Sequence, residues 1–172
     1  MPQVNHLWAA KVLGMELNNN KGPDLINASN DVGVELKFML SNRSSNGWTV
    51  QNHQLRYKNN NFTCYWGLGI YNLDRNVKEI DTEDKDRLEG MVVKREIYIV
   101  NYNWMNQFAP SRTSGGTGRS KWNYVFRYAK FKSLPRIVES YEVDKGIVHI
   151  TRGVREEDFF MSRYLTENST LY

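Results

Sequence analysis

The chain has 172 residues, a formal net charge of +4, and 40% hydrophobic and 13% aromatic residues. That length and apolar content exclude a disordered or fibrous chain and allow one domain with its own core. A lone cysteine, Cys64, excludes an internal disulfide and a multi-cysteine zinc site, and no apolar run is long enough to span a bilayer.

Val4, Leu7, Trp8, Val12 and Met15 recur near the 3.6-residue period, which predicts a helix over 3–17. The run Asn18-Asn19-Asn20-Lys21-Gly22 breaks it. A short strand is predicted over 24–27, entered through Pro23, then a turn over 27–31. Residues 32–40 (VGVELKFML) read as a buried strand. After a polar loop over 41–47, the stretch 48–61 is ambiguous and accommodates a helix containing Gln51, Gln54 and Leu55. Residues 62–73 (FTCYWGLGIYNL) read as a strand, rich in aromatic and β-branched residues. The charged stretch 82–89 reads as helical and 91–102 as another strand. Residues 110–120 (PSRTSGGTGRS) read as a flexible loop, 122–131 as a half-exposed strand, 146–150 as a short strand and 154–165 as a C-terminal helix. This order predicts an α/β or α+β chain, with a central mixed sheet flanked by helices in a single domain over 1–172.

The chemistry concentrates in residues 22–38. Side chains alternate across a strand, so Val34, Leu36, Phe38 and Leu40 share one face, and Gly33, Glu35, Lys37 and Met39 the other. A hairpin between the two flanking strands brings Asp24 toward Glu35. Two carboxylates beside one ammonium suit phosphodiester hydrolysis. Mg²⁺ prefers oxygen ligands and is commonly held by one or two carboxylates plus phosphate and water. Asp24 and Glu35 supply such oxygens, and Lys37 is placed to orient water and offset developing charge. The plainer alternative is an ion pair between Glu35 and Lys37 on a half-exposed strand.

Pro23-Asp24, ten intervening residues and Glu35-Leu36-Lys37 resemble the PD-(D/E)XK nuclease superfamily, the restriction-endonuclease-like fold. The resemblance covers roughly the first 75 residues. It implies a Mg²⁺-dependent DNA endonuclease with Asp24 and Glu35 as metal ligands and Lys37 serving the nucleophilic water. It also implies an acidic residue on the first helix, for which Glu16 is the candidate, and a glutamine after the lysine strand, for which Gln54 is the candidate and Gln51 its rival. Residues 76–172 are then expected to complete the sheet and to carry recognition or dimer-forming elements. A type II restriction endonuclease acting as a homodimer on double-stranded DNA leads. A Holliday-junction resolvase or repair nuclease of the same superfamily is the near alternative, and a non-catalytic nucleic-acid-binding protein the distant one.

Charge distribution points the same way. Residues 111–136 hold seven basic side chains and no acidic one, more than the whole net charge. Arg112, Arg119, Lys121, Arg127, Lys130 and Lys132 are therefore the candidate DNA-phosphate contacts, with Arg136 at the edge of the block. His6, His53 and His149 show no ligand spacing, so no histidine metal site is expected; His149 reads as a sheet-face residue. With no apolar leader, the chain is expected to stay in the cytoplasm, away from membranes.

Overall fold

A computed structural model describes residues 2–29, 31–41, 47–51, 63–74, 89–107, 111–114, 122–131 and 137–159. Its elements run α1 (Pro2–Leu13), β1 (Glu16–Leu17), β2 (Leu25–Ile26), β3 (Val32–Leu40), β4 (Gly47–Gln51), β5 (Thr63–Leu73) and β6 (Val92–Asn101). There follow α2 (Tyr102–Gln107), β7 (Ser111–Ser114), β8 (Trp122–Arg127), α3 (Tyr128–Phe131), β9 (Ile137–Val143) and β10 (Gly146–Thr151). Among the described residues the strands form a seven-stranded sheet, ordered β1-β2-β3-β5-β6-β10-β9, and a three-stranded sheet, ordered β4-β8-β7.

The large sheet is mixed. β1, β2 and β3 form an antiparallel meander, β3 runs parallel to β5, β5 antiparallel to β6, β6 parallel to β10, and β10 antiparallel to β9. One face packs on α1: Val34, Leu36, Tyr65, Ile97, Ile99, Val148 and Ile150 meet Trp8, Ala9, Val12 and Leu13. The other face packs on the small sheet: Met39, Trp66, Leu68 and Ile70 meet Trp48, Val50, Phe126 and Phe131. The expected central mixed sheet is present. Among the described residues, however, one of its faces is covered chiefly by strands rather than by helices.

Small residues let these layers close. A Cβ at Gly67 or Gly69 would overlap Leu36 or Phe38, so β5 offers a groove into which β3 lays its apolar side chains. Arg95 ties β6 to α1 from inside the core. It is fully buried, with Nε donating to Asn5 Oδ1 at 2.9 Å and its guanidinium carbon 5.5 Å from the Trp8 ring centre.

Several sequence expectations need correction. α1 stops at Leu13, not at 17. Gly14 adopts φ 64°, and Met15 N–H reaches back to Ala10 O at 2.9 Å, closing a left-handed helix cap. Glu16 therefore lies on β1 and not on the first helix. Residues 47–51 form β4 instead of helix, because Trp48 and Val50 are buried on one side of the strand while Thr49 is exposed. Ser111–Ser114 is paired with β8 and is not loop. The strand predicted over 122–131 ends at Arg127, and Tyr128–Phe131 turns helical. The predicted helix from 154 is, over the described part, a single 3₁₀ turn at Glu156–Asp158, which the Tyr65 hydroxyl anchors by donating to Asp158 Oδ2 at 2.6 Å. β9 had no sequence counterpart. The predicted segments over 52–61, 82–88 and 115–120 lie outside the described residues. Among the described residues no helix is long and apolar enough to cross a membrane.

Candidate functional site

The loop entering β2 is shaped by asparagine. Asn18 N–H donates to Asp24 O at 2.8 Å and Asn18 Nδ2 to Pro23 O at 2.9 Å, while Asn18 Oδ1 accepts from Asn20 N–H at 3.0 Å. These bonds satisfy the loop backbone and present Pro23-Asp24 to the sheet. At the other end of β2, Asn27 Oδ1 accepts the amides of Asp31 and Val32 at 3.0 and 3.1 Å, which closes the turn into β3. Gly33 completes the fit, since a Cβ there would overlap the Pro23 ring.

The register then pairs β2 with the first half of β3. Leu25 pairs with Val34 and Ile26 with Gly33. Asp24 itself is a bend residue directly before β2, outside the strand that was expected to begin with it. Asp24 Oδ2 accepts the Leu36 N–H at 2.8 Å; that amide lies in the backbone between Glu35 and Lys37. A charge-assisted bond of this kind fixes the carboxylate's orientation.

Glu35 is buried, at 3% exposure. Lys37 Nζ lies 3.6 Å from Glu35 Oε1, and the lysine side chain keeps 23% of its surface open. The ion pair of the plainer alternative is thus present, on a strand more deeply buried than expected. Burial arises because Glu35 sits beside Trp66 in the register and the small sheet closes over that face. The Cys64 thiol is pushed up to about 11, first by burial and then by the negative charge of Glu35.

His6 lies on α1, on the sheet face of Phe38 rather than that of Glu35 and Lys37, its ring centre 6.3 Å from that of Phe38. His6 is half-buried, and the charges of Asp24 and Lys37 both act on it. Burial holds its pKa below the ordinary 6.5; Asp24 raises it and Lys37 lowers it. No spacing rule connects position 6 to positions 24 and 37, so sequence reasoning had no signal by which to find it.

The remaining candidates divide. Glu16 is exposed on edge strand β1 and pairs with Ile26. By register it shares the sheet face of Asp24 on the diagonal, about 7–8 Å away backbone to backbone. Gln54, Arg119, Lys121, Lys132 and Arg136 lie outside the described residues. Arg112 stands on β7 opposite Tyr124, Arg127 is exposed at the end of β8, and Lys130 belongs to α3. The small sheet carrying Arg112 and Arg127 thus stacks on the same face of the large sheet that carries Glu35 and Lys37.

Among the described residues no three His, Cys, Asp or Glu side chains gather as a metal cage. Asp24 and Glu35 nevertheless fit a hard cation: both offer carboxylate oxygen, and one carboxylate is held by a backbone amide. Two carboxylates suit Mg²⁺, whose other positions go to water and phosphate. No family model matches the chain, and no curated protein matches it.

Proposed function

We propose that the protein is a Mg²⁺-dependent DNA endonuclease that hydrolyses phosphodiester bonds, a type II restriction endonuclease acting as a homodimer on double-stranded DNA. The observation that carries this reading is the bond by which Asp24 Oδ2 accepts the Leu36 N–H at 2.8 Å, tying that carboxylate to the backbone between Glu35 and Lys37, whose charged groups lie 3.6 Å apart. The order of a leading helix, a short strand entered through Asp24, a Glu-x-Lys strand and, after β4, a further apolar strand supports it.

In this reading Asp24 and Glu35 hold the cation. When bound, the metal polarises a phosphoryl oxygen and lowers the pKa of water. Lys37 orients the attacking water and offsets charge that develops on phosphate as the water oxygen bonds to phosphorus and the ester P–O bond breaks. Leu36 N–H keeps Asp24 in place through the cycle. Arg112 and Arg127 on the small sheet, with Arg119, Lys121, Lys130 and Lys132 from the same basic block, neutralise flanking phosphates.

The deciding experiment incubates the chain with linear, plasmid and four-way-junction DNA, with and without Mg²⁺. Discrete plasmid fragments identify a restriction enzyme. Cutting of branched DNA alone identifies a junction resolvase of the same chemistry. Salt-sensitive binding with no cleavage in Mg²⁺ would refute the enzymatic reading.

A further inference from the structure

A second polar cluster lies farther along the same sheet face. Glu35, Lys37 and Met39 follow one another along β3, and Ser41 extends the line, with its N–H donating to Tyr71 O at 3.1 Å. Four residues separate Lys37 from Ser41, about 13 Å of strand. There a pocket of about 200 Å³ opens. Met39 and Ile70, each 9% exposed, form its apolar floor. The Ser41 hydroxyl and Asn72 Oδ1 are hydrogen-bonded on one wall; Lys94 Nζ faces Glu96 Oε1 at 3.3 Å on another; Tyr128 adds an aromatic ring.

A supporting layer holds these groups. The Tyr98 hydroxyl is hydrogen-bonded to both Tyr128 and Glu96. His149 stacks on Tyr98 with ring centres 4.5 Å apart and planes 25° apart, and its Nδ1 lies 2.8 Å from Ser140 Oγ. Glu96 and Tyr128 are thereby aimed by their neighbours.

The chemistry of the walls narrows the occupant. The volume falls below the roughly 300 Å³ at which drug-sized ligands begin, so it suits one small ring system. Lys94 and Glu96 cancel in charge, Arg95, which also lines the pocket, has its guanidinium paired with Glu89, and an anion would meet the Glu96 carboxylate. An ionised carboxylate only accepts and an ammonium only donates. Side by side they match a neutral molecule that pairs an N–H donor with an adjacent acceptor, and Tyr128 and the apolar floor suit a flat ring. On their Watson–Crick edges adenine and cytosine set an exocyclic amine beside a ring nitrogen acceptor, whereas guanine sets its amine beside a ring N–H and thymine has no such amine.

We infer that this pocket binds a single unpaired nucleobase bearing an exocyclic amine, adenine or cytosine. The inference rests on the nuclease reading for its substrate class. A strand with its phosphate at Lys37 has bases within short reach of Ser41, and a base withdrawn from its stack is read by edge hydrogen bonds and aromatic contact.

The test titrates adenosine, cytidine, thymidine and inorganic phosphate into the full chain, following the backbone amide signals of Ser41 and Asn72 by NMR. Saturable shifts with adenosine or cytidine are expected, with thymidine and phosphate about tenfold weaker or worse. Asn72→Ala and Lys94→Ala should each weaken binding about tenfold, the scale of one lost edge contact. Ser41→Ala serves as a second wall variant should Asn72→Ala fail to fold, with the same tenfold loss expected. No shift with any nucleoside, thymidine or phosphate binding as tightly as cytidine, or undiminished binding by the folded wall variants overturns the inference. None of these readouts needs cleavage. A chain that binds cytidine yet cuts no DNA loses the nuclease reading and keeps the pocket, and one that cuts DNA yet ignores nucleosides does the reverse.

Discussion

Glu89→Gln strikes at the joint between α1 and the sheet. Arg95 Nη1 and Nη2 donate to Glu89 Oε1 and Oε2 at 2.9 and 2.6 Å, a bidentate pair, and the arginine is fully buried. Glutamine leaves one acceptor in place of two and turns an N–H₂ toward the guanidinium. Removing one partner of a buried pair costs about 3–5 kcal/mol. Glu89 retains 32% exposure, so water softens the loss, and we expect the low end, about 3 kcal/mol. For a chain of this size each kcal/mol moves Tm by about 2–4 °C, hence a drop of roughly 6–12 °C. Circular-dichroism melts at pH 7 measure it. Lys145→Ala is the control, because Lys145 reaches Glu89 only at 3.5 Å with half its surface in water; it should cost at most about 1 kcal/mol. The pH profile supplies a second readout. The Arg95 hydrogen bond holds the Glu89 carboxyl below its ordinary 4.5. Its stabilisation is therefore complete above pH 4.5 and fades as pH falls through the lower folded value. Glu89→Gln should lack that part of the acid loss. A variant that melts within about 2 °C of wild type and keeps the full acid limb would show that Arg95 does not depend on this carboxylate.

Further outcomes concern the site. Glu35→Gln and Lys37→Ala should each abolish Mg²⁺-dependent cleavage while native spectra persist; a variant that cuts at the wild-type rate removes that residue from the site. Mg²⁺ at tenfold its dissociation constant should stabilise the wild type by about 1.4 kcal/mol, or about 3–6 °C, and Glu35→Gln by nothing; equal shifts in differential scanning fluorimetry would place the cation elsewhere. Arg119→Ala with Lys121→Ala should weaken DNA binding uniformly across sequences and lower the salt slope by about one per lost phosphate contact; an unchanged slope takes the basic block out of the interface. Cys64, with its thiol near 11, should react sluggishly with a disulfide reagent at pH 8, and Glu35→Gln should speed the reaction by removing one of its two causes. Identical rates would mean that Glu35 carries no charge beside the thiol.

What the sequence revealed follows from which forces act locally. β3 was readable to the residue because a nine-residue apolar strand with an embedded Glu-x-Lys has one plausible period. The β2–β3 hairpin, which carries Asp24 to the Leu36 amide, is one that such a strand implies. The burial of Glu35 was hidden, because it comes from a second sheet whose members β4, β7 and β8 lie far apart in the chain. β7 was hidden for the same reason: Ser111–Ser114 has little strand propensity, and pairing with β8 decides its state. β9 showed no inside-outside alternation, since its first four residues are all exposed. The end of α1 was legible in Gly14, but the asparagine triplet after it drew the boundary too far. His6 comes under the charges of Asp24 and Lys37 only through the docking of a helix on a sheet, which local patterns do not encode.

The bond from the Leu36 amide to Asp24 has a consequence for how this chain tolerates change. The donor belongs to the main chain, which mutation leaves in place at every non-proline position. Drift among the apolar residues of β3 can therefore alter bulk and shape without cutting the tether between the two acids. Vulnerability shifts to the few spots where backbone touches backbone or ring, and Gly33 beneath Pro23 is foremost among them: a single added methyl there would lift the whole Pro-Asp corner away from its anchor.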